Sequence, residues 1–215
     1  TRKVFASNPY GEFDFVPIEA PQDVYSQYKI LFMIGWNTMR DEAKGVNDNL
    51  KNDYQRLKNY VENGGVIVLS VPQLSKRTDR EFLGDMQNAD LYNSGDVSDL
   101  FGVRIGLPCE PISKAVAVGD FPNKDYNLDQ TLIRLPSKHE NEDGECCLAT
   151  VDLCGAEVVL KDQASGKPLL VKCKVGLGYA YLLCAYAYPG HEKLKHISPN
   201  VIRTLIGIHV QKDVF

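Results

Sequence analysis

The residues with the most chemistry to offer in this chain are six cysteines, four histidines and one tryptophan. The cysteines stand at 109, 146, 147, 154, 173 and 184. Adjacent Cys146 and Cys147 would project to opposite faces of a strand. No C-x-x-C or H-x-x-x-H spacing occurs either, so the pattern does not describe a zinc site. Cys173 and Cys184 lie within the apolar runs Leu169 to Cys173 and Tyr181 to Ala185, where cysteine behaves as a small buried hydrophobe. Reduced thiols are the expectation, and with them a cytoplasmic location. Among the histidines, His139 sits in a charged loop with Lys138, Glu140, Glu142 and Asp143, while His196 and His209 lie beside or on the last predicted helix. The acidic run Glu140 to Glu145 lacks the spaced Asp/Asn/Gly pattern of a calcium loop. No metal and no cofactor is expected. Trp36 and Asn37 are the binding candidates. They follow an apolar run that reads as a parallel strand, and open α/β sheets take their ligands at the carboxyl ends of such strands. The competing role for Trp36 is packing, since a large aromatic at a strand end seals a core.

The elements that would position these residues follow from periodicity. Phe13 to Ile18 alternates and then meets Pro17, as a short strand or strand end does, and Ala20 to Tyr25 reads as one or two helical turns. Tyr28 to Ile34 is almost continuously apolar, which predicts a central parallel strand covered on both faces. Thr38 with Asp41 has the spacing of a capping box. Met39, Ala43, Val46, Leu50, Tyr54, Leu57 and Val61 share one helical face, although Gly45 places the true start near Asn47. Asn63-Gly64-Gly65 stops that helix, and Val66 to Val71 follows as a second buried strand ended by Pro72. Strand, helix, strand, helix, strand over 13–72 predicts parallel pairing with helices on both faces.

From Lys76 to Leu107 the pattern reads as a helix, a loop and a short turn. After Pro111 it becomes β-like, with short runs at Ala115 to Val118, Thr131 to Leu135, Cys147 to Val151, Glu157 to Leu160, Pro168 to Val175 and Tyr179 to Tyr186. Hairpins are expected between them. Gly176-Leu177-Gly178 should turn one such hairpin, because a phosphate-binding loop needs a helix to follow and none does. Ser198 is the expected N-cap of a last helix, with Pro199 at its first position and Val201, Ile202, Leu205 and Ile208 on its apolar face. The predicted class is α/β, a three-layer core with parallel central strands and a hairpin-rich C-terminal half.

Composition bounds the partners. The 215 residues carry 24 Lys+Arg against 28 Asp+Glu, a net charge of −4, and 44% are hydrophobic. A polyanion partner needs a basic surplus to release counterions, so nucleic acid is not expected. The longest apolar runs, Ile30 to Ile34 and Val66 to Leu69, fall far short of the roughly 20 residues that span a bilayer, and no membrane partner is expected. One domain, 1–215, is large enough to hold a core without staples.

Tyr28-Lys29-Ile30-Leu31-Phe32-Met33-Ile34-Gly35-Trp36-Asn37, then Leu57-Lys58-Asn59-Tyr60-Val61-Glu62-Asn63-Gly64-Gly65-Val66-Ile67-Val68-Leu69, resembles the class I glutamine amidotransferase-like superfamily. Within it the chain is most similar to the amidotransferase-like domain appended to carbohydrate-active enzymes, such as the trimerisation domain of bacterial β-galactosidases. The Asp99 to Ile105 unit and the closing Gly176-Leu177-Gly178 and Tyr188-Pro189-Gly190 fit the same order, so the resemblance covers most of the chain. It implies a flavodoxin-like sheet whose second strand is Phe13 to Pro17. Only Lys3 to Ala6 precedes that strand, too little for a strand and a crossover helix, so a fragment of a longer multidomain protein is expected.

In catalytic members of the superfamily a nucleophilic cysteine occupies the turn after the strand matching Val66 to Val71, partnered by His and Glu near the end of the chain. Here that turn offers Ser70, and His191-Glu192 stand where the partners belong. A nucleophile elbow wants small neighbours, whereas Leu69 and Val71 flank Ser70 and Pro72 follows. Ser70 is therefore expected to be a strand-end serine, with no catalytic residue in the chain. The resemblance implies a non-catalytic domain of a glycoside hydrolase, serving assembly or active-site shaping, with the parent's other domains and further copies as partners. Two alternatives stand beside it: an autonomous hydrolase or amidase using Ser70, His191 and Glu192, and a small-ligand module at Trp36.

Overall fold

The computed structural model describes residues 14, 16–17, 20–32, 47–74, 95–122, 147–186, 194 and 197–210. At its centre is β2, Val66–Ser70, buried along its whole length as a continuous apolar run requires. It runs parallel to β1, Ile30–Phe32, on one side and to β8, Gly178–Leu183, on the other. Beyond β8 the pairing turns antiparallel, through β7 (Pro168–Val175) and β6 (Glu157–Asp162) to β4 (Ala115–Ala117). The result is a mixed six-stranded sheet in the order β1-β2-β8-β7-β6-β4. A second, two-stranded antiparallel sheet joins β3, Val103–Pro111, to β5, Cys147–Leu153.

Alternation along the strands builds two cores. Ile67 and Leu69 of β2, Val171 of β7 and Leu182 of β8 pack with Leu57 and Val61 of α2 (Asn47–Glu62) and with Leu100 and Phe101 of α3 (Gly95–Phe101). On the opposite face Val66, Val68, Tyr181 and Leu183 pack with Val201 and Leu205 of α4 (Ile197–His209). Helices thus cover both faces, and the class is α/β. A one-turn helix, α1 (Gln22–Tyr25), precedes β1, and its buried Tyr25 meets Tyr60 of α2 edge to face.

The predicted α2 start near Asn47, the β2 start at Val66 and the hairpin of β7 with β8 match the structure. Several expectations are corrected. The described residues of the expected first strand, Asp14, Val16 and Pro17, are not in strand; the Pro17 carbonyl instead accepts from the Ala20 amide at 3.0 Å in a turn. The expected central strand Tyr28 to Ile34 is β1, paired on one side only among the described residues and half-buried accordingly. Val71 opens a 3-10 turn, Val71–Leu74, and does not extend β2, because the fixed φ of Pro72 suits a helical turn and its missing N–H cannot serve a ladder. The expected turn at Asp99 to Ile105 is the end of α3 and the start of the nine-residue β3. Pro108 and Pro111 disguised that strand; it keeps its partner through register shifts on either side of Pro108. The last helix begins at Ile197, so Ser198 lies inside the first turn and is not its cap. The strand Thr131 to Leu135 and the helix expected after Lys76 lie outside the described residues.

Candidate functional site

Ligands of open α/β sheets sit beyond the carboxyl ends of parallel strands. Here those ends are Phe32, Ser70 and Leu183. Ser70 has no exposed surface, and Leu69, Val71 and Leu74 around it have none either. The chain leaving β8 is tied down residue by residue. The Cys184 amide donates to the Leu169 carbonyl at 2.8 Å, the Cys184 carbonyl accepts from the Ala149 amide at 3.0 Å, and the Tyr186 amide donates to the Cys147 carbonyl at 2.8 Å. The Tyr186 hydroxyl donates to the Gly106 carbonyl of β3. Where β8 ends, therefore, the two-stranded sheet closes against it. A nucleophile must meet its substrate, and Ser70 is sealed from solvent. Trp36, Asn37, His191 and Glu192 lie outside the described residues.

The two glycine motifs meet at the other end of the same strands. Leu177 donates its amide to the Glu62 carbonyl at 2.9 Å, and Tyr179 donates to the Gly65 carbonyl at 3.1 Å. Gly176 holds φ at +57°, and a Cβ there would lie 2.6 Å from the Glu62 carbonyl oxygen. A Cβ on Gly178 would strike the carbonyl oxygens of Gly65 and Val61, and one on Gly65 would enter the Tyr60 ring. The Tyr60 hydroxyl donates to the Tyr28 carbonyl at 2.9 Å, and burial pushes its pKa up. Asn63-Gly64-Gly65 and Gly176-Leu177-Gly178 are therefore one interlocked backbone joint at the amino ends of β2 and β8. That is the end opposite the one where such sheets hold ligands.

Two polar clusters have no counterpart in the sequence reading. Asp162, with no exposed surface, accepts from the backbone amides of Ser113 (2.6 Å), Lys114 (3.1 Å) and Ser165 (2.8 Å) and from the hydroxyls of Ser113 and Ser165. Burial works to raise its pKa, but these bonds outweigh it and hold the carboxyl below its ordinary value. The carboxylate staples the β6–β7 turn to the segment between β3 and β4. Part of this was legible, since Asp162-Gln163-Ala164-Ser165-Gly166 between two apolar runs is turn chemistry. The second cluster lies at the end of α4, where His209 Nε2 is 2.9 Å from the Tyr181 hydroxyl and its ring is 5.3 Å from that of Tyr179. Lys172 lies 5.7 Å from the centre of the Tyr179 ring and pairs with Glu157 at 2.7 Å.

Among the described residues no group of three His, Cys, Asp or Glu side chains is placed to hold a metal, and no helix is long and apolar enough to cross a membrane. Cys147, Cys173 and Cys184 are buried, Cys173 and Cys184 without a disulfide as expected, while Cys154 is exposed.

No protein-family model matches the sequence, and no curated protein matches it. Solved structures do. A β-galactosidase from the Antarctic haloarchaeon Halorubrum lacusprofundi matches with a TM-score of 0.53 and 15% identity, over 90% of this chain and 23% of its own. The likeness is one of fold. A β-galactosidase from Bacillus circulans sp. alkalophilus is similar over 88% of this chain and 23% of its own, at 15% identity and a TM-score of 0.47. A cytoplasmic protein of Salmonella typhimurium LT2 is similar over 89% of this chain and 76% of its own, at 15% identity and a TM-score of 0.49. The chain thus spans under a quarter of the length of the β-galactosidases it matches.

Proposed function

We propose that this chain is a non-catalytic, amidotransferase-like domain with a flavodoxin-related core, built into a carbohydrate-active enzyme that is a glycoside hydrolase of the cytoplasm. It serves assembly of that enzyme or the shaping of its active site. The observation that carries the reading is the sealed Ser70 at the closed carboxyl edge, the one described position where the superfamily's chemistry would stand. The match of 90% of this chain to 23% of a β-galactosidase supports a part-of-a-whole role, because the shared fold there is one portion of a longer protein. Its partners on this reading are the other domains of the parent and further copies of the chain. Trp36 and Asn37 are assigned to a contact with a neighbouring domain or subunit.

The test uses the parent enzyme with Ser70→Ala and Trp36→Ala introduced separately. Hydrolysis of a chromogenic β-galactoside and the mass by light scattering are measured on each. Ser70→Ala is expected to leave kcat/KM within a few-fold of wild type, and Trp36→Ala to lower the oligomer mass or raise KM. A loss of about a thousandfold in Ser70→Ala, with folding intact, marks a nucleophile and overturns the reading in favour of the Ser70, His191 and Glu192 hydrolase. An unchanged mass and unchanged kinetics in Trp36→Ala remove the contact assigned to that residue.

A further inference from the structure

We draw no further inference here: the strongest candidate, the first turn of α4, where the hydroxyl of buried Ser198 has no partner among the described residues, carries nothing because no water-sized space adjoins that oxygen and nothing in the structure shows what ligand would reach it.

Discussion

A methyl group on Gly65 would occupy the same space as the Tyr60 ring, and this single overlap explains why the turn after α2 needs glycine at its second position. Gly65→Ala is expected to cost about 1–3 kcal/mol, the range for forcing extra volume into a packed site. Tyr60→Leu removes the ring atoms in the way, so adding Gly65→Ala in that background should cost no more than about 0.5 kcal/mol further. Urea denaturation of the double-mutant cycle reads the coupling, and additive losses would refute the overlap. Tyr60→Phe keeps the ring and deletes the hydroxyl, which donates to the Tyr28 carbonyl and accepts from the Val66 amide; it should cost about 1 kcal/mol and give Gly65→Ala no relief. The cysteines make a second test at this scale. Burial pushes the Cys184 thiol far up, and burial with the nearby Glu157 carboxylate raises Cys173, whereas Cys154 lies at the surface. Thiol labelling of the native protein at pH 8, followed by peptide mass analysis, should modify Cys154 and spare Cys147, Cys173 and Cys184 until denaturant is added. Rapid native labelling at Cys184 would contradict the packing of β8.

The β6–β7 turn is held both by its own residues and by the segment before β4, and Asp162 bonds to both. Because the folded pKa of this carboxyl lies below the unfolded value of about 3.9, its stabilisation is complete above that pH. It is lost as pH falls through the lower folded value, where the unfolded chain takes up the proton first. Urea midpoints measured from pH 6 down to pH 2.5 should fall in that acid window, and Asp162→Asn should flatten the fall. The same variant is expected to lose about 2 kcal/mol at pH 7, since an amide presents N–H groups to donors that were paired with a carboxylate. An unchanged acid profile in Asp162→Asn would move the acid sensitivity to other carboxyls. At the end of α4, Tyr181→Phe removes the bond to His209 and should cost about 1 kcal/mol while leaving the helix in place by far-UV circular dichroism.

Across the whole molecule, β2 and β8 are the strands on which both helical layers converge, and β4 is an end strand. Local opening follows burial, so backbone amides of β2, β7 and β8 should exchange slowest with solvent and those of β4 much faster. Hydrogen exchange with fragment-level mass analysis checks this; equal rates in β4 and β2 would show that the sheet opens only as a unit. The closed carboxyl edge belongs to this scale too. At the end of β8 it is made by β3 and β5, elements distant from β8 in sequence, which bond to Cys184 and Tyr186.

What the sequence determined by itself was local. The 3.6-residue apolar period of α2, the unbroken apolar run of β2, the glycine-bearing turns and the β7–β8 hairpin are each specified by residues near one another, and they were legible for that reason. The place of Ser70 at the end of a strand is local as well. Tertiary structure alone decided that β8 returns parallel to β2, placing the hairpin inside the main sheet and its turn against Asn63-Gly64-Gly65. It alone gave Asp162 the donors on Ser113, 49 positions away, and Lys114, 48 away. The prolines of β3 masked a strand because local rules count a missing N–H as a break, while the partner strand absorbs it by shifting register. Pairing across a sheet and satisfying a buried charge depend on which distant segments arrive beside one another, and no periodicity within a single segment contains that information.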